Sequence, residues 1–120
     1  MNEQMKQELI AWGVNWADVT DRFMGNEDLV ERFMFKFLKD KSFGSLALGM
    51  QKKDVKEAFA GCHSLKGVTG NLALDGMRDD VLKLTEILRA GSMDGAEELY
   101  KNIKKSYEEL IGIIKKYDKN

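Results

Sequence analysis

Ala58-Phe59-Ala60-Gly61-Cys62-His63-Ser64-Leu65-Lys66-Gly67-Val68-Thr69-Gly70-Asn71-Leu72-Ala73 is the stretch around which the rest of the chain reads. It carries the protein's one histidine. At helical period, Val55, Phe59, Cys62, Leu65, Thr69 and Leu72 share one apolar stripe. With about 100° per residue, His63 falls roughly 110° from the centre of that stripe, at the border between core and water. Lys66 follows one turn later, Gly67 shares nearly the same face, Gly70 lies at i+7, and Lys56 precedes at i−7. The glycines at 61, 67 and 70 each cost about 1 kcal/mol relative to alanine inside a helix. Gly67 and Gly70 make sense if bare backbone is wanted beside the imidazole. The helix then presents a lone ring on a cleared, cation-flanked surface.

Working outward, residues 2–12 can form a short helix with Met5, Leu9 and Trp12 on one side, stopped by Gly13. Asn15 can cap a second, with Asp18 in its first turn and Trp16, Val19 and Phe23 as its apolar face. After Gly25, Asn26 caps a helix running to about Lys41. Its apolar residues Leu29, Val30, Phe33, Met34, Phe37 and Leu38 cover a wider arc than one bundle seam needs, and Phe35 lies outside it. Either the N-terminal segment packs across the extra surface, or it is a partner-docking patch.

Phe43 to Lys53 reads as a short, glycine-punctuated helix. Asp54, with Glu57 three residues later, gives a capping-box pattern for the central helix, which should end near Ala73. Asp75 can cap the next helix, where Leu74, Met77, Val81, Leu84 and Leu88 recur at three- and four-residue spacing; Gly91 ends it. Asp94 with Glu97 opens the last, whose seam is Ala96, Leu99, Ile103, Tyr107, Leu110, Ile114 and Tyr117. No alternating strand pattern occurs. The expected fold is all-α: an antiparallel four-helix bundle with short additional N-terminal helices. One domain over residues 1–120 is expected, with 1–13 as an N-terminal extension and 16–117 as the bundle.

Composition narrows the function classes. The chain has 120 residues, 43% hydrophobic and 32% charged, with no proline. That suits one core and uninterrupted helices. A net charge of −1 gives no electrostatic footprint for nucleic acid. No stretch approaches the roughly 20 apolar residues of a membrane span. One cysteine allows no internal disulfide, and the start lacks an apolar signal core, so a cytoplasmic protein is expected. Met1 and the polar C-terminal end favour a free-standing chain over one cut from a larger kinase.

The chemistry is narrower still. Cys62 and His63 are adjacent, so on a helix they point about 100° apart and cannot act as a nucleophile–base pair. One histidine without spaced cysteines or carboxylates is a poor metal-ligand array, so no metal site is expected. No strand–glycine loop–helix unit offers a nucleotide site. A lone exposed imidazole can instead be a nucleophile towards phosphorus, with Lys66 supplying compensating charge. Each feature alone has a blander reading: a surface histidine, a solvated lysine, glycines for close helix packing. Together on one surface they favour the carrier.

His63-Ser64-Leu65-Lys66-Gly67 followed by Gly70-Asn71-Leu72 resembles the histidine-phosphotransfer (HPt) domain family of two-component phosphorelays. The resemblance implies that His63 is phosphorylated at Nε2, that Lys66 steadies the phosphate, and that Gly67 and Gly70 give a partner clearance. It implies a receiver domain of a response regulator or hybrid histidine kinase as partner, and reversible transfer between its aspartate and His63. It also implies no cofactor of the chain's own: Mg²⁺ comes from the receiver, and no ATP site or kinase activity is expected. A monomer is expected. Ala73 stands where many members carry glycine, and Cys62 where alanine is commoner; both stay small, so little effect is expected. The competing class is an adaptor without phosphate chemistry, binding through the Phe33–Leu38 region.

Overall fold

Short polar side chains that turn back onto orphan backbone N–H groups set most of the early helix starts. In the computed structural model, which describes residues 1–119, Asn2 accepts from the Met5 N–H and opens α1 (Glu3–Trp12). Asn15 accepts from Asp18 and opens α2 (Trp16–Arg22). Asn26 accepts from Leu29 and opens α3 (Glu27–Phe37). After α4 (Ser42–Lys52), which lacks a side-chain cap, Asp54 accepts from Glu57 and opens α5 (Val55–Asn71). Then come α6 (Asp75–Arg89) and α7 (Ala96–Tyr117). The fold is all-α; among the described residues the one β-type feature is an isolated antiparallel bridge between Val14 and Leu74.

Two expected caps are displaced. Asp75 is the first residue of α6, and its carboxylate accepts from Asn15 Nδ2 at 3.3 Å. Gly95, at φ +78°, stands at the α7 cap in place of Asp94. The capping box at Asp54 forms by half. The Asp54 N–H is already taken by the Gly49 carbonyl at 2.8 Å, so Glu57 pairs with Lys52 at 3.7 Å instead.

The bundle proper is α4 to α7, joined by short connections. Backbone contact makes α4 a full member: a β-carbon on Gly49 would stand 2.3 Å from the Ala58 nitrogen, and one on Gly61 would stand 2.3 Å from the Leu46 nitrogen. The stretch expected as a minor helix is thus the close antiparallel partner of α5. The core between them includes Leu46, Ala58, Cys62, Leu65, Val81, Leu84, Leu88, Ile103, Leu110 and Ile114, all buried. α3 joins through rings: Phe37 meets Tyr107 edge-on at 5.8 Å, and Phe43 of α4 stacks on Tyr107 at 4.1 Å.

The N-terminal segment is tied into this body. The Trp12 indole donates to the Ser106 carbonyl at 2.9 Å. Gly13 and Gly76 pass so closely that a β-carbon on Gly13 would come 2.6 Å from the Gly76 Cα, and the Gly76 N–H donates to the Gly13 carbonyl. Glu8 accepts from Lys116 and Tyr117. Glu27 accepts from Lys6 and from the Trp16 indole, both at 3.0 Å.

Three helices end in Schellman turns whose left-handed residue is not glycine: Met24, Lys53 and Ala73, with φ of 56°, 56° and 52°. At the third, the Leu74 N–H reaches back to the Thr69 carbonyl at 2.9 Å. Size alone does not govern position 73: the backbone there has positive φ, which glycine tolerates and alanine resists.

Candidate functional site

His63 lies mid-way along α5, on its water-facing side, and is exposed. Its neighbours Cys62 and Leu65 are fully buried, so the stripe that holds α5 in the bundle also turns the imidazole out. Lys66 is half-buried on the next turn and Gly67 is exposed. Among the described residues Lys66 forms no ion pair. Its backbone carbonyl is held by the Thr69 hydroxyl at 2.8 Å.

The three α5 glycines divide. Gly61 is buried against α4, whereas β-carbons on Gly67 and Gly70 would meet nothing within 4 Å among the described residues. Helix packing therefore explains Gly61 and does not explain the other two, which leave open space on the turns after His63. Cys62 points the opposite way. Its thiol lies 3.2 Å from the Thr85 hydroxyl and 3.6 Å from the Val81 carbonyl, and burial pushes its pKa up. It is a protonated core residue, unavailable as a nucleophile.

A family model described as Hpt domain matches residues 35–112. The chain belongs to the Hpt domain family. The match runs from late α3 into α7 and takes in the whole of α4, α5 and α6. Membership implies histidine phosphotransfer in phosphorelays, with receiver domains as partners. No curated protein matches the chain, and no solved structure does.

Two features of this Hpt domain lie beyond what periodicity marked out. One is a groove of about 720 Å³ whose lining includes the apolar Phe23, Phe33, Phe37, Val68 and Leu72 and the charged Arg22, Lys36, Lys39 and Asp40. Its α5 wall begins at Val68, five residues or about 7.5 Å along the axis from His63. α3 is used on two sides. Met1, Asn2 and Lys6 reach Asp28, Glu31 and Glu27 on one side, while Phe33 and Phe37 line the groove. The other feature is a ring stack: Phe59 and His63 lie 5.6 Å apart between centroids with planes 21° apart. The i, i+4 spacing was visible, but Phe59 reads as core from periodicity, and only the side-chain placement shows it turned towards the imidazole.

No described helix is long and apolar enough to cross a membrane. Among the described residues no group of three or more His, Cys, Asp or Glu is placed to hold a metal.

Proposed function

We propose that His63 is the residue through which this Hpt domain carries phosphate. It accepts the group from an aspartyl phosphate on the receiver domain of a response regulator or hybrid kinase and passes it to another receiver aspartate. The observation that carries this reading is the exposed ring of the chain's sole histidine on a helix face kept clear at Gly67 and Gly70.

In the forward step the Nε2 lone pair attacks phosphorus in line. The N–P bond forms as the O–P bond breaks, and that electron pair leaves with the aspartate carboxylate. The Nδ1 proton stays on the ring through the step. The Lys66 ammonium, one turn away, balances the roughly two negative charges of the phosphoryl group. Mg²⁺ and most of the transition-state charge stabilisation come from the receiver. Gly67 and Gly70 admit the receiver's active-site edge, and all steps reverse for onward transfer.

The apolar groove beside α3, with three basic side chains and Asp40 in its lining, favours partner binding under this reading and under the adaptor alternative alike. His63→Gln separates them. Incubated with a phosphorylated receiver, the wild-type chain should gain acid-labile phosphate and H63Q none; label on H63Q overturns the assignment. Lys66→Ala should fold normally and lose its phosphate faster. An unchanged lifetime and transfer rate would reduce Lys66 to a surface charge.

A further inference from the structure

We infer that Phe59 is a positioning residue for His63, and that Arg89 holds Phe59 in that role. The inference rests on the reading of His63 as the phosphoryl carrier. Phe59 precedes His63 by one turn of α5, so both side chains project from the same face. Their rings stack at 5.6 Å with planes 21° apart. Arg89, from the C-terminal end of α6, places its guanidinium carbon 5.1 Å from the centre of the same phenyl ring. The guanidinium is itself steadied by Glu86, whose carboxylate lies 3.4 Å from Nε. A cation over a phenyl ring is attracted by its negative face. A ring stacked nearly parallel on imidazole restricts rotation about χ1 and χ2.

Orientation matters here because the donor is docked. An exposed side chain otherwise changes rotamer on the picosecond-to-nanosecond scale. A receiver seated on α5 offers its phosphorus from one direction, and in-line attack needs Nε2 aimed at it. Misplacement by 1 Å can cost about a hundredfold in rate. Phe59 is only half-buried, and a leucine would fill its share of the apolar stripe equally well. What leucine lacks is the flat face shared with His63 and Arg89. The stack therefore presets the angle at which the imidazole meets a docked aspartyl phosphate.

The test uses the full chain, with two donors and three variants: Phe59→Leu, Phe59→Tyr and Arg89→Met. One donor is a phosphorylated receiver. The other is phosphoramidate, a small ion from which Nε2 takes the phosphoryl group as the P–N bond breaks and ammonia leaves. A free ion meets the ring from any direction, so preset orientation helps it little. With the receiver, F59L should lower the maximal transfer rate about tenfold at an unchanged half-saturating receiver concentration. With phosphoramidate it should lower the rate by no more than about twofold. F59Y, which keeps the ring, should restore wild-type transfer, and R89M should fall between. The protein has one histidine, so its two imidazole C–H signals report the stack directly. They should shift downfield in F59L and stay in place in F59Y.

Equal rates for wild type and F59L with the receiver overturn the positioning role. So does an equal loss with both donors, which would mean Phe59 acts on something other than angle. If the wild type accepts from neither donor, the carrier reading fails instead. The C–H shifts then judge the stack alone: unmoved in F59L, they sink it.

Discussion

Gly61 and Gly67 lie six residues apart on α5 in opposite environments. A β-carbon on Gly61 would stand 2.3 Å from the Leu46 backbone nitrogen, and one on Gly67 would meet nothing within 4 Å. Both are glycines inside a helix, and both lower its intrinsic stability by about 1 kcal/mol. At Gly61 close approach of α4 and α5 offsets that cost. At Gly67 nothing among the described residues does; Gly44 and Gly112, also inside helices, face the same open space, and what sets Gly67 apart is its place one turn after His63.

The two alanine substitutions should therefore have opposite signs. Gly61→Ala should destabilise the protein by about 1–3 kcal/mol, because backbone must move to admit the methyl group. Gly67→Ala should stabilise it by about 0.5–1 kcal/mol. Urea denaturation of each variant against wild type decides it, and losses of similar size at both positions would return Gly67 to a packing role. Gly67→Gln should still fold but lose transfer from a receiver.

Met24 is 94% exposed and holds the left-handed position of the α2–α3 turn at φ 56°. There the Gly25 N–H donates to the Thr20 carbonyl at 2.7 Å and the Met24 N–H to Asp21. An L side chain in that conformation costs about 1–2 kcal/mol, and so exposed a methionine recovers little by packing. Met24→Gly should raise stability by about 0.5–1 kcal/mol after allowing for the looser unfolded chain. A lower midpoint in urea would show that Met24 makes stabilising contacts worth more than its strain.

Acid should loosen the N-terminal ties first. The hydrogen bond from Lys116, then that from Tyr117, holds the Glu8 carboxyl below its usual range. Lys6 and then the Trp16 indole do the same for Glu27. A carboxyl with a folded pKa below its unfolded value stabilises fully above the unfolded value and loses that contribution as pH falls towards the folded one. Both groups are half-buried at the surface and still within reach of water, so the effect should be small and weaker at high salt. Unfolding midpoints of wild type and a Glu8→Gln, Glu27→Gln double variant, followed from neutral pH down through the carboxylate range, should converge. Parallel curves would show that these two carboxyls add nothing to the acid response.

Much of the architecture was legible in local signals. Asn15, Asn26 and Asp54 cap where their side-chain chemistry indicates, because a cap needs only its own next turn. The α6 stripe Leu74, Met77, Val81, Leu84 and Leu88 is buried throughout, because helical period and burial are tied wherever one face meets a core. The local signals failed where two elements compete for one group. Asp54 could not complete its box because Gly49 had already taken its N–H. Asp75 was drawn to Asn15, sixty residues earlier in the chain. Residues 1–13 carried no motif, yet Gly13 meets Gly76 backbone to backbone, and no property of either residue alone announces that.

The site divides in the same way. One histidine, a lysine three residues on and glycines at i+4 and i+7 on a helix with an opposed apolar stripe were enough to place His63 at the water boundary, since a helix's geometry converts spacing into direction. Spacing alone could not separate Gly61 from Gly67, because a glycine left bare for a neighbouring helix and one left bare for solvent look identical until the neighbour is in place. Nor could it turn the Phe59 ring towards His63, or bring Arg89 over that ring from α6. Those contacts depend on how two helices pack and which rotamers the packing leaves open, and that is settled only when the bundle closes.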